Sequence, residues 1–213
     1  MNKTRQKLII KQLGIQNYES VWQAMKAFTQ SRAPTSPDEL WLVEHPPIYT
    51  LGLNGKHEHV IDPGTIPVVN VDRGGQVTYH GPGQLVAYTL VDLNRLHIGV
   101  KEFVRQLEQT IINLLADYNI SANGREDAPG VYVNQAKIAA LGLRVKKNNV
   151  YHGLSLNVDM DLEPFNRINP CGYEDMTVTQ LKELTHFKDI DEISQKFIGY
   201  FTRIMGYNID HTV

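Results

Sequence analysis

The chain has 213 residues, 42% of them hydrophobic and 21% charged, enough apolar mass for a substantial core and too much for wholesale disorder. Its 21 Lys and Arg against 23 Asp and Glu give a net charge of −2, which argues against a protein that grips nucleic acid by neutralising phosphates. A single cysteine, Cys171, excludes an intrachain disulfide and a cysteine-based zinc site.

Lys3, Arg5 and Lys7 precede an apolar run confined to residues 8–10, too short for a secretory h-region or a spanning helix. No apolar run long enough for either follows, so no membrane association is expected, and with a free thiol the expected location is cytoplasmic. Tyr18, Val21, Trp22, Met25 and Phe28 recur at helical spacing and predict a first amphipathic helix. Short β-branched runs at 40–43, 48–51, 68–71 and 85–91 predict strands, the last buried on both faces. Phe103, Val104, Leu107, Ile111, Leu114 and Tyr118 mark a second helix. Residues 130–133 and 137–145, joined by Asn134-Gln135, form a predicted hairpin, and a turn at 147–149 leads into 150–158, giving a meander of three strands. Thr177-x-x-Gln180 matches a capping box opening a short helix through Leu184. Ile190, Ile193, Phe197, Phe201 and Ile204 mark a third long helix. No repeat or linker-like cluster divides the chain, so residues 1–213 are expected to form one domain. The pattern predicts an α/β (α+β) fold, a mixed sheet with helices covering one face, and not the strict βαβ alternation of a doubly wound sheet.

Chemistry concentrates in a few segments. Arg73-Gly74-Gly75-Gln76-Val77-Thr78-Tyr79-His80-Gly81-Pro82-Gly83-Gln84 is glycine-rich, which lets a ligand approach the backbone, and it carries polar side chains able to converge. It fits neither a Walker A loop nor Gly-x-Gly-x-x-Gly. Cys171 sits among the turn formers Asn169, Pro170 and Gly172, outside any periodic apolar pattern, as suits a loop nucleophile. A thiol with a pKa near 8.5 needs a helper; His80, His152 and Lys137 are all candidates. His57 and His59 lack a third partner for a metal. Ser155, in His152-Gly153-Leu154-Ser155, is not on a nucleophile elbow.

The glycine-rich segment, Asp127-Ala128-Pro129-Gly130-Val131-Tyr132-Val133, Lys137-Ile138-Ala139-Ala140-Leu141-Gly142-Leu143-Arg144 and Ile168-Asn169-Pro170-Cys171-Gly172 together resemble the lipoyl(octanoyl) transferase family. Many members have serine where this chain has Ala140. The resemblance implies the fold of the biotin and lipoate protein ligase catalytic domain. It implies transfer of an octanoyl group from octanoyl-acyl carrier protein to a lysine on lipoyl domains of 2-oxoacid dehydrogenase complexes and on the glycine cleavage H protein. It implies Cys171 as the nucleophile that becomes a thioester, Lys137 as its activator, and no metal, ATP or other cofactor. Arg73, Gly74, Gly75, Gln76, Val77, Thr78, Tyr79, His80, Ala140, Leu141, Gly142, Gly153, Leu154 and Ser155 are the substrate-binding residues it implies. Arg144, Lys146 and Lys147 make a basic cluster suited to an acidic carrier protein.

Overall fold

A computed structural model describes residues 6–170, 176–187 and 189–209. The helices form where the apolar stripes fall: α1 (Tyr18–Ser31) and α3 (Val100–Ala116), with the short α2 (Leu93–Leu96) before α3, then α4 (Leu181–Leu184) and α5 (Ile190–Met205). Asn17 caps α1 by accepting from the Ser20 N–H at 3.1 Å, and Asp189 caps α5 by accepting from the Glu192 N–H at 2.8 Å, each satisfying a donor that the first helical turn leaves open. Gly206, at φ 74°, ends α5 in the left-handed conformation. The expected capping box does not form. The N-cap of α4 is Gln180, without a side-chain cap, because the Thr177 carbonyl is occupied by the Lys137 N–H at 2.9 Å.

The main sheet has eight strands in the order β11-β1-β2-β6-β10-β9-β8-β7. These are β1 (Gln6–Ile15), β2 (Asp38–Glu44), β6 (Gln84–Leu90), β7 (Asn123–Gly124), β8 (Gly130–Val133), β9 (Ala136–Lys146), β10 (Asn149–Asn157) and β11 (Tyr207–Ile209). A second sheet orders β4 (Val68–Asn70), β3 (Ile48–Leu51) and β5 (Val77–His80) as β4-β3-β5. The sheet is mixed: β1 runs parallel to β2 and β11, and the β8–β9–β10–β6 region is antiparallel. Both meander turns have left-handed residues, Asn134 with Gln135 and Lys147 with Asn148, the geometry that matches strand twist in two-residue hairpins.

One face of the main sheet packs on α3 and α5. Phe103, Leu107 and Ile111 meet Phe197 and Phe201 over Leu85, Ala87, Val131, Leu154 and Leu156. The other face carries α1 through Tyr18, Val21 and Met25 against Trp41, Val86, Tyr88 and Tyr151. The sheet is thus covered on both faces, not one as its sequence suggests, because β3, β5 and α1 fold over the second face. The buried carboxylate of Asp38 ties these layers together. It pairs with Arg32 at the end of α1 and Arg95 in α2 and accepts from Tyr207 Oη of β11 at 2.7 Å.

Close approach of β6 to β10 fixes Gly153, where an added Cβ would collide with the Ala87 carbonyl oxygen, whereas Gly199 on α5 has open space around it. Gly153→Ala is expected to cost about 2–3 kcal/mol, and Gly199→Ala to gain up to about 1 kcal/mol through helix propensity. Urea denaturation of the two variants tests this opposition of sign.

Candidate active site

Strand alternation places successive side chains on opposite faces, and two local departures from it build the site. Along β8 and β9, Gly130 pairs with Ala140 and Val131 with Ala139, but Tyr132 then pairs with Lys137, so Ile138 is an extra residue. This bulge turns Ile138 and Ala139 together into the helix-packed core and sends Lys137 to the face it shares with Tyr132, Gly130 and Ala140. With regular alternation Lys137 would point with Ala139 into the core. Lys137 is 4% exposed, its Nζ lies 5.3 Å from the Tyr132 ring centroid, and its Cε would stand 3.0 Å from a Cβ on Gly130. The side chain therefore runs back toward Ala140. The second departure is His152, at φ 62° in the middle of β10; its ring stacks on that of Tyr151 at 5.1 Å, so two consecutive side chains share one face.

Between that face and β5 lies a cavity lined by Tyr18, Arg73, Gly75, Gln76, Val77, Thr78, His80, Val86, Tyr88, Ala140, Leu141, Gly142, His152, Gly153, Leu154 and Ser155. The register Ser155↔Ala140 and His152↔Leu143 gives its axis. From Ser155 to His152 it spans three residues of strand, about 10 Å, with the Lys137 side chain at the Ser155 end and Asp72 beyond the His152 end.

Hydrogen bonds anchored on main-chain atoms fix the polar groups around this cavity. The Thr179 carbonyl accepts from Asn157 Nδ2 at 3.0 Å, Asn157 Oδ1 accepts from Gln84 Nε2 at 2.9 Å, and Gln84 Oε1 is left to accept from His80 Nδ1 at 2.7 Å. His80 Nε2 is therefore the nitrogen without a proton. Burial, reinforced by His45 and Arg73, pushes the His80 pKa down to about 3. His45 donates from Nδ1 to the Gln16 carbonyl and accepts from Tyr88 Oη, each at 2.7 Å, and burial lowers its pKa to about 4. Arg73 clasps Thr50 through Oγ1 and the carbonyl, joining β3 to the glycine loop. His152 donates from Nε2 to Asp72 at 3.0 Å. Burial works against the Asp72 carboxylate, but hydrogen bonds from His152, Tyr151 and Trp22 outweigh it and hold its pKa well below the usual range.

Of the residues expected to bind substrate, Arg73, Gly75, Gln76, Val77, Thr78, His80, Ala140, Leu141, Gly142, Gly153, Leu154 and Ser155 meet around the cavity. Gly74 stands beside it, donating to the Leu143 carbonyl at 2.9 Å in an adjoining groove with Val100, Val104 and Pro129. Tyr79 points away, into a cluster with Tyr49 and Phe165. Cys171 lies outside the described residues; the chain before it is held by the Asn169 N–H on the His59 carbonyl, and the chain after it by Thr177 on Lys137. Tyr18, Val86, Tyr88 and His152 also line the cavity. His152, weighed as a helper to the thiol, stands at the far end from Lys137. Its place next to Gly153 was a usable signal; Tyr18 reads as core in a helical stripe and had none. Among the described residues no group of His, Cys, Asp and Glu is arranged to hold a metal, and no helix is long and apolar enough to cross a membrane.

A narrow cavity thus lies between a mixed sheet and a glycine-rich loop, with a buried lysine at one end. Residues 17–202 match the family described as lipoyl protein ligase A/B catalytic domain, and the chain belongs to that family. It is 55% identical over 205 residues to an octanoyltransferase of Shewanella loihica, covering 96% of this chain and 94% of that one, and 58% identical over 195 residues to an octanoyltransferase of Chromobacterium violaceum, covering 92% and 94%. Within the family its activity is that of an octanoyltransferase, an enzyme of protein lipoylation. The fold is that of a bi-partite lipoate protein ligase from Thermoplasma acidophilum, at a TM-score of 0.77 and 16% identity over 98% of this chain and 86% of that one. A biotin protein ligase from Aquifex aeolicus shares it more distantly, at 0.54 and 12% over 95% and 70%.

Because the folded-state pKa values of His45 and His80 lie below the unfolded value of about 6.5, the unfolded chain takes up protons first. Stability present above pH 6.5 is lost as pH falls toward 4, by about 2 kcal/mol per ring at pH 5. Urea midpoints measured from pH 7.5 to 5 should fall steadily; a flat profile contradicts the assignment.

Proposed function

We propose that the enzyme moves an octanoyl group from acyl carrier protein to a lysine of lipoyl domains through a thioester on Cys171, with Lys137 as the proton-transfer partner, within one catalytic domain spanning residues 1–213. The observation that carries the reading is the Lys137 side chain, buried by the β9 bulge and running toward one end of a cavity about as long as an extended eight-carbon chain. Such burial is costly for a lysine that merely follows a surface turn.

In the first half-reaction the Cys171 thiolate attacks the donor thioester carbonyl, the new carbon–sulfur bond forms, and the bond to the phosphopantetheine sulfur breaks. The Lys137 ammonium supplies the proton that the departing thiolate needs. In the second, the acceptor lysine amine attacks the Cys171 thioester, the amide forms, and neutral Lys137 takes up the proton as Cys171 leaves as thiolate. The residues around the cavity supply shape for the alkyl chain, and no ATP enters.

Intact mass measured after mixing with octanoyl-acyl carrier protein, without ATP, should show one octanoyl adduct on the wild type and none on Cys171→Ser. Lys137→Ala should remain folded and acylate about a hundredfold more slowly or worse. No adduct on the wild type would sink the proposal, and full-speed acylation of the lysine variant would remove Lys137 from the mechanism.

Arg144, Lys146 and Lys147 cluster on the β9–β10 hairpin. Beyond Ala140, β9 has no further pairing with β8, which leaves this end open to a partner. For an acidic carrier protein the cluster would serve mainly on-rate. Reversing its charges should lower kcat/KM for octanoyl-acyl carrier protein about tenfold at low salt, the difference shrinking as salt screens it; equal kcat/KM at low salt would place docking elsewhere.

A further inference from the structure

We propose that His152, held by Asp72, forms a polar stop at the end of the acyl cavity opposite Lys137, limiting the alkyl chain accepted and favouring a hydrogen-bond donor at that position. The inference rests on the octanoyl-transfer reading and deepens it.

His152 lines the cavity at the end opposite Lys137 and is 1% exposed. Its Nε2 proton is committed to the Asp72 carboxylate, which is itself fixed by Trp22 Nε1 at 2.7 Å and by the Tyr151 hydroxyl. The other ring nitrogen, Nδ1, is thereby a bare acceptor, and it has no hydrogen-bond partner among the described residues. Tyr18 Oη, on the same cavity, is buried beside the Tyr88 hydroxyl, which is itself committed to His45, and makes no well-formed hydrogen bond among the described residues. An apolar cavity for a saturated chain has no need of either atom. The backbone also holds His152 in a left-handed conformation in mid-strand, a state that a non-glycine residue occupies at a cost and that clusters at ligand sites. Regular alternation would instead have put His152 with Val150 and Leu154 in the helix-packed core.

The magnitudes set the direction of selection. Each added methylene gains roughly fourfold by burial. Decanoyl's two extra methylenes are worth about sixteenfold together, and an unpaired buried polar group costs about five- to a hundred-and-fiftyfold, so the upper end of that range puts decanoyl about tenfold below octanoyl. An octanoyl chain ends near the His152 register, whereas a longer one must press against the His152 ring, whose buried Nδ1 an alkyl chain cannot satisfy. A chain with a hydroxyl at its end supplies the missing donor and escapes that penalty.

The test compares octanoyl-, decanoyl- and 10-hydroxydecanoyl-acyl carrier protein as donors by kcat/KM. The wild type should use decanoyl about tenfold less well than octanoyl and 10-hydroxydecanoyl about tenfold better than decanoyl. Tyr18→Phe removes one oxygen and no bulk, and should reduce the hydroxyl preference at least threefold. His152→Asn, a residue suited to the left-handed backbone, should abolish it and raise decanoyl relative to octanoyl. A ring that served only as packing would give no hydroxyl preference, and that result, or equal use of decanoyl and octanoyl, would overturn the polar stop while leaving octanoyl transfer intact. If the wild type fails to transfer octanoyl at all, both proposals fall.

Discussion

A β-strand presents alternate side chains to opposite faces, and in this protein one of those faces is committed to α3 and α5. The cavity lies against the other face, so the positions available to it along β9 and β10 are rationed by parity. The extra residue at Ile138 and the left-handed backbone at His152 each break parity once. The first brings a lysine to one end of the cavity, and the second brings a histidine to the other. Between them the strands are regular, and the walls at Ala140, Gly142, Gly153 and Ser155 are small, which leaves room for a ligand in place of packed side chains.

The polar groups around the cavity are uncharged where they are deepest. Burial keeps His45 and His80 neutral, and their proton positions follow from carbonyl oxygens that cannot change role. The charged groups are held by partners: Asp72, beyond the His152 end, is shared among three donors, and Arg73 is clasped by Thr50. Such an interior suits an alkyl chain, since a neutral, fully bonded polar group costs little beside an apolar ligand, whereas an unpaired charge would repel it.

Much of this was legible in the sequence because it depends on local patterns. The long helices followed from apolar spacing, the meander from Asn134-Gln135 and the turn at 147–149, and the cavity wall from glycines that permit close approach. What escaped was long-range. Residues 6–10 have too short an apolar run to announce a strand, and β1 exists because it pairs in parallel with β2 and β11, contacts spanning the whole chain. Lys137 reads as a solvated residue after a turn when periodicity alone is used; its burial depends on a pairing offset that one strand cannot reveal. Tyr79 sits in a motif rich in site residues yet faces away, since alternation along β5 gives Thr78 and His80 to the cavity and Tyr79 to the cluster with Phe165. The capping pattern at Thr177 lost to a competing use of the same backbone.

That competing use ties distant groups together. Thr177 and Thr179 pair through their main chains with both backbone groups of Lys137, while the Thr179 carbonyl orients Asn157, and through Gln84 the proton on His80. Peeling this short segment from the strand edge would therefore do two things at once. It would strip the lysine of its main-chain support and let the imidazole of His80 exchange tautomers. The alignment of the lysine and the proton map of the cavity are consequently assembled in a single event, when residues 177–179 settle against β9.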